Sequence, residues 1–261
     1  MQLPFVLSIP HCGSEMPPEI RSDVVLTDRE ILESVDFGTR EIFGSLKAPH
    51  AIQARWSRLV VDLNRNPSDF GAKGVVALKD YHGREVFLPG KAPTRAQIER
   101  RMIRYARPYH EAIVNALRND EAIGLIDCHS LNGIGPADAP DRGMVRKDIT
   151  LSNNGDLHGR PLSDDAAATT CPAETIQMAA EAFRAQGFSV SINRPYRGGY
   201  IVNHFGGLLR SRGRFALQIE MNQDLYMARD AILPDPARIE SITERVKQAF
   251  AEWTLGLQNH T

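Results

Sequence analysis

Cysteine is scarce and unpatterned in this chain. Only Cys12, Cys128 and Cys171 occur in 261 residues, an odd number with no CxxC spacing. That excludes a disulfide framework and a structural zinc ribbon, and it fits free thiols in a reducing cytoplasm. An excess of charge is missing too: 31 lysines and arginines stand against 32 aspartates and glutamates. No global field draws the chain to nucleic acid or to an anionic membrane. Long hydrophobic runs are absent, and the N-terminal "LPFVLSI" is too short to cross a bilayer and follows no basic segment. No GxGxxG occurs, so there is no dinucleotide fingerprint. These absences read as a cytoplasmic protein whose partner has to be argued from a site; oligomeric state is not encoded legibly. What is present, 42% hydrophobic and 24% charged residues, is an ordinary globular composition. One domain over 1–261 is the expectation.

Short aliphatic or β-branched runs at Phe5–Ile9, Leu59–Leu63, Ile123–Asp127, Ser189–Asn193 and Phe215–Glu220 read as buried strands. Helical patterns lie between them. Thr94 with Gln97 forms a capping box that opens a stripe of Ile98, Met102, Tyr105, Tyr109 and Ile113, which Pro108 should bend or interrupt. Thr27 with Glu30 opens another, through Ile31, Val35, Ile42 and Phe43, with Gly38 as a weak point. A third runs from Pro172 to Gly187, and Ile239, Ile242, Val246, Phe250 and Trp253 mark a C-terminal helix. Strands alternating with helices predict an α/β sandwich. Asn132–Asp165, rich in Gly, Pro, Asp and Asn and without periodicity, reads as one long loop.

In open α/β sheets, sites gather beyond the carboxyl ends of strands. Here those ends read "PHCG", "VVDLNRNP", "IDCHS", "INRPYRGGY" and "QIEMNQ", delivering His11, Asp62, Asn64, Arg65, Asp127, His129, Arg194, Arg197 and Glu220. Two histidines and carboxylates from distant parts of the chain suit an open catalytic zinc site with a position left for water. Asp127, two residues before His129, lies on the same strand face and is placed either to orient that imidazole or to serve a turn. Glu220 ends an apolar strand, where desolvation lifts a carboxyl toward a general-base value; a salt bridge to an arginine is the other role for it. Arginines grip carboxylates bidentately, which suits Asn64-Arg65 and Arg194…Arg197 to a carboxylate-bearing substrate. Cys128 and His129, adjacent on a strand, face opposite ways and make no nucleophile–base pair. Cys12 with His129 stays open as a metal-free alternative.

The ordered set "SIPHCG", "SVDFGTREIFG", "RLVVDLNRNP", "RYARPYHEAI", "LIDCHS", "INRPYRGGYIVNHFG" and "FALQIEMNQDLYM" resembles the N-formylglutamate amidohydrolase (N-formylglutamate deformylase) family over roughly residues 5 to 230. The resemblance implies a three-layer α/β/α sandwich with a mixed, mostly parallel sheet, of the zinc-carboxypeptidase-like (phosphorylase/hydrolase-like) kind. It also implies zinc-assisted hydrolysis of an N-formyl or N-acyl amino acid, N-formyl-L-glutamate above all. Carried onto this chain, His11 and His129 are zinc ligands and Glu220 is the base. Relatives of the fold place a glutamate three residues after the first histidine, where this chain has Ser14 and then Glu15. Asp36 matches an acidic position of the family and is the chosen third ligand, with Glu15 as competitor. Arg65, Arg194 and Arg197 fall at substrate-carboxylate positions, and His204 sits in the matching "NHFG". The resemblance is loosest between His129 and Ser163. A zinc peptidase or amidase on other N-acyl amino acids or short peptides, and a non-catalytic metal-pocket protein, would use the same residues.

Overall fold

The computed structural model describes residues 1–118, 121–162, 169–228 and 233–259. In chain order the strands are β1 (Phe5–Ile9), β2 (His50–Gln53), β3 (Gly124–Leu131), β4 (Ile149–Ser152), β5 (Val190–Ile192) and β6 (Phe215–Asn222). The helices are α1 (Pro18–Arg21), α2 (Asp28–Leu32), α3 (Thr39–Phe43), α4 (Arg95–Arg101), α5 (Arg107–Ala116), α6 (Ala173–Ala185), α7 (Tyr200–Arg210) and α8 (Pro236–Asn259). One sheet runs β2-β1-β3-β6-β4-β5. Its pairs are parallel except β4 against β6. This is the mixed, mostly parallel sheet that the sequence suggested.

Alternation along the central strands assigns the two faces. Phe5 and Phe215 point to α8, where Phe5 stacks on Trp253 at 4.8 Å and meets Phe250 edge-on, and Phe183 of α6 closes the cluster against Phe250 at 5.9 Å. The opposite face carries Ser8, which meets Tyr109 of α5, and it is covered by α5 and α7. Aromatic burial anchors the first face: Trp253 is 1% exposed. Trp253→Ala should cost about 3–5 kcal/mol of stability, read as a lowered midpoint in urea unfolding.

Local rules act as expected at several elements. Both capping boxes form, with Thr27 and Thr94 accepting from the backbone of Glu30 and Gln97. A π-helical turn at Met102–Ala106 immediately precedes Pro108, so the helix changes pitch where proline's ring and missing donor would break it. Gly38 takes φ +81° and separates α2 from α3. A Cβ there would also lie 2.6 Å from the Tyr226 ring. Asp36 occupies the turn so created.

Four assignments change. Leu59–Leu63 is a buried turn: Val60 N–H donates to Ser57 O and Asp62 N–H to Val75 O, inside a loop that no sheet strand joins. The exposed edge strand β2, "HAIQ", has no hydrophobic pattern to show it. The span read as one loop from Asn132 contains β4, whose four residues "ITLS" are fully buried, while its end at 163–165 lies outside the described residues. Helix α7 was not expected, because Gly206 and Gly207 interrupt its apolar pattern.

Candidate active site

The parallel strands β1, β3 and β6 bring the chemistry to one edge of the sheet, on the α5/α7 face. His129 and Glu220 sit within β3 and β6 as register partners, and Asp127 pairs with Gln218 one step below. His11 follows β1 by two residues. The turn before Gly38 brings Asp36 to it, its N–H donating to His11 O at 3.0 Å. All four site residues, His11, Asp36, His129 and Glu220, are buried.

Each histidine has one nitrogen committed to a carboxylate. His11 Nε2 lies 2.8 Å from Asp62 Oδ1, and His129 Nε2 lies 2.8 Å from Asp127 Oδ2. Ionised aspartates only accept, so both Nε2 atoms carry the proton and both Nδ1 atoms present lone pairs. Those lone pairs face each other. His129 Nδ1 is 3.2 Å from His11 Nδ1 and 3.3 Å from Asp36 Oδ2, and His11 Nδ1 is 3.6 Å from the same oxygen. Three acceptors converging in a buried space repel unless a cation or proton lies among them. Ligand bonds of about 2.0–2.1 Å give a tetrahedron with edges of about 3.3–3.4 Å, so the donor set and spacing fit zinc.

The supporting groups are themselves satisfied. Asp127 Oδ1 accepts from Ser8 Oγ at 2.7 Å, and Ser8 meets Tyr109 Oη at 2.9 Å. Asp62 accepts from Arg58 Nη2 at 2.6 Å and from the Asn64 backbone at 2.9 Å. When a proton takes the cation's place among the three groups, burial would raise the Asp36 carboxyl, but hydrogen bonds and charge from His11 and then His129 outweigh it and hold it well below the usual carboxylate range. Burial would lower His129, yet Asp127 and Asp36 lift it well above an ordinary imidazole. A buried site that draws positive charge this strongly is suited to a divalent ion.

A cavity of about 460 Å³ opens over these groups, lined among others by Arg58, Arg65, Lys73, Arg146 and Glu220. Glu220 is 8% exposed, and Gln218 Nε2 donates to its Oε1 at 2.6 Å. Burial, and then the charge of Asp36, push its carboxyl above the ordinary glutamate range, against the pull of His129 and Arg146. Arg146 is tied bidentately to Asp141 at 2.7 Å and Arg58 to Asp62. Arg65 is different. Its side chain is half exposed at the cavity wall, and its ion pair is a loose one, 3.7 Å to Asp62. Asn64 lies beside the histidine, its Nδ2 3.0 Å from His129 Nε2.

The structure does not bring every expected residue here. Glu15 pairs with Arg55 at 2.8 Å in solvent, so Asp36, and not Glu15, stands beside the histidines. Arg194 and Arg197 are exposed and line no part of the cavity. Their segment is pinned by backbone: Thr150 and Ser191 donate to Arg194 O, Ser152 to Tyr196 O and Asn154 N–H to Arg197 O. What it offers the cavity is Tyr196, Gly198 and Gly199. His204, one helical turn after Tyr200, stacks on that ring at 5.1 Å and borders a separate depression with His110. The three cysteines are buried, and burial raises all three thiols, which leaves no thiolate nucleophile. Sequence reasoning named Asp62 without a role and passed over Arg58, although Arg58 and Asp62 stand four residues apart, a spacing that pairs charges in turns and helices.

The family model described as N-formylglutamate amidohydrolase matches residues 3–227. An N-formylglutamate deformylase from Pseudomonas aeruginosa is 28% identical over 268 residues, covering 96% of this chain and 92% of that protein. One from Pseudomonas putida is 27% identical, covering 87% of this chain and 82% of that protein. Among solved structures, N-formylglutamate amidohydrolase from Ralstonia eutropha superposes with TM-score 0.75 at 18% identity, covering 100% of this chain and 96% of that one. An Agrobacterium tumefaciens gene product gives 0.68 at 16%, covering 98% and 92%. At those identities the two structures speak for the fold. The family model covers residues 3–227, well over half of the 261, and the chain therefore belongs to the N-formylglutamate amidohydrolase family.

Proposed function

We propose that this protein is a zinc-dependent amidohydrolase that cleaves N-formyl-L-glutamate to formate and L-glutamate. The observation that carries the reading is the convergence of His11 Nδ1, His129 Nδ1 and Asp36 Oδ2 within 3.2–3.6 Å of one another at the base of a cavity that Glu220 also lines. Family membership supplies the substrate class: the two Pseudomonas relatives are named as deformylases of N-formylglutamate. A zinc ion held by the three side chains supplies Lewis acidity toward the formyl carbonyl and toward water.

The chain's own residues supply the rest. Asp62 and Asp127 keep both imidazoles in the tautomer that leaves Nδ1 free. Glu220 takes the proton from the attacking water and delivers it to the departing nitrogen, so the amine leaves neutral. Arg65, whose closest ion pair at 3.7 Å is the loosest among the described cations of the cavity wall, holds a substrate carboxylate. Arg65→Ala should raise KM about 10- to 100-fold with a smaller effect on kcat, in line with a charge-assisted bond of roughly 1.5–3 kcal/mol. Steady-state kinetics with N-formylglutamate measures this.

The decisive experiment loads the purified protein with zinc and follows formate release from N-formyl-L-glutamate, N-formyl-L-aspartate and N-formyl-L-leucine, and glutamate release from N-acetyl-L-glutamate. Fastest turnover of N-formylglutamate, abolished by a chelator and restored by zinc, is expected. No turnover of any member of the set by the zinc-loaded protein would overturn the reading.

A further inference from the structure

We propose that Gln218 is the positioning residue for Glu220. It acts as one half of a two-amide bracket, Gln218 and Asn64, built on the N-terminus of α7. The proposal rests on the reading of Glu220 as the base.

The first turn of a helix leaves backbone N–H groups without partners, and a residue of the helix itself or its N-cap ordinarily accepts from them. Here the N-cap is Gly199, which has no side chain to offer. The acceptors come from far away in sequence. Gly199 N–H donates to Gln218 Oε1 at 2.7 Å, Tyr200 N–H to Asn64 O at 3.2 Å and Ile201 N–H to Asn64 Oδ1 at 2.8 Å. Both amides are therefore held by their oxygens, and this decides where their nitrogens point. Gln218 Nε2 points to Glu220 Oε1 at 2.6 Å, and Asn64 Nδ2 to the His129 ring at 3.0 Å. One helix end thus orients Glu220 through Gln218, while Asn64 only packs its amide against the His129 ring, because two donors meet there and make no hydrogen bond.

The second glycine of the pair follows from the same contact. A Cβ at Gly199 would lie 2.3 Å from Asn64 Nδ2, so any other residue there drives the amide away. Gly199 of "RGGY" is thereby explained by backbone approach rather than by the neighbouring arginine.

Gln218 is 3% exposed, and it supplies the one hydrogen bond to the Glu220 carboxylate among the described residues. With Oε1 held, Oε2 is the oxygen left to meet water. Without that restraint a buried carboxylate can turn about its terminal torsion, which is broad and two-fold. Misplacing a catalytic group by an ångström costs on the order of 10²-fold in rate.

The test uses the zinc-loaded full chain with N-formylglutamate, in Gln218→Met, Gln218→Glu, Glu220→Gln and the Gln218→Met/Glu220→Gln double variant, together with a crystal structure of Gln218→Met. Gln218→Met should lower kcat on the order of 10²-fold with KM changed less than about threefold and zinc content unchanged. In the Glu220→Gln background the same substitution should cost nothing further, because the residue it orients is already gone. A purely structural role would give additive losses in the double variant, and that result overturns the proposal. Gln218→Glu keeps an acceptor for Gly199 N–H and loses the donor to Glu220. It should fall as far as Gln218→Met, and near-wild-type kcat would refute the proposal even if the methionine variant failed to fold. If the unmodified protein turned over no N-formylglutamate, the functional reading would fail separately. The crystal structure then decides: a Glu220 carboxylate rotated away from its present place supports Gln218, and an unmoved one overturns it.

Discussion

Glu220→Gln should lower turnover of N-formylglutamate by on the order of 10³–10⁴-fold and leave one zinc per chain bound. General acid–base catalysis contributes about 10²–10⁴-fold, and this residue is asked to act both on the water and on the leaving nitrogen, which puts the loss at the upper end. Glutamine preserves shape and the hydrogen bond from Gln218 has an oxygen to meet, so the cavity and its three ligand side chains stay intact. Metal content by elemental analysis and kcat by formate release, on the same sample, separate loss of the base from loss of the ion. A variant that keeps more than a tenth of wild-type kcat would remove Glu220 from the base role.

The same residue sets a pH dependence whose sign can be worked out. In the proposed base role the active form is the carboxylate, and burial followed by the Asp36 charge raises its pKa. Protonation therefore begins at a higher pH than for a free glutamate, and activity falls as pH drops through that raised value. The acid limb of kcat/KM should lie above the ordinary glutamate range and involve one proton. A limb at or below that range would mean that solvent reaches Glu220 more freely than its 8% exposure indicates.

Strand alternation made part of this site legible. Asp127 and His129 stand two apart and so share a face, and the structure joins them at 2.8 Å. Gln218 and Glu220 have the same spacing on the neighbouring strand, in register with the first pair, yet only Glu220 was singled out, because glutamine does not titrate and attracts no chemical reading. The rule was available, but its use was confined to charged residues. Arg58 and Asp62 were lost for another reason: "RLVVD" has a strand's composition, and on a strand residues four apart lie about 13 Å from each other. It is a turn, stabilised by bonds to Ser57 and Val75 that no local pattern announces. Contacts such as His11 with Asp62, across 51 residues, depend on how a loop outside the sheet is packed and were not readable at all. In "RPYRGGY" the arginines drew attention, although the glycines carry the contact with the site.

Asp36→Ala should cost the protein its zinc, whereas Glu15→Ala should not. Both carboxylates were candidates for the third ligand, and the structure separates them physically. Asp36 is 7% exposed, has Oδ2 at 3.3 Å from His129 Nδ1, and accepts from Ser130 N–H at 3.1 Å, which aims the oxygen into the site. Glu15 is solvated and paired with Arg55. Surface pairs of that kind are worth about 0–1 kcal/mol, so Glu15→Ala should leave stability, metal content and kcat close to wild type. Two imidazoles alone bind zinc far more weakly than two imidazoles and a carboxylate, because no negative charge compensates the ion in a buried site. Asp36→Ala should therefore come through dialysis with less than a tenth of an equivalent of zinc, and its turnover should fall at least as far as that of Glu220→Gln. Competition with a chromogenic chelator gives the affinity of each variant without relying on catalysis. Retention of a full equivalent by Asp36→Ala, with loss from Glu15→Ala, would reverse the assignment and require the chain after β1 to turn inward, away from Arg55.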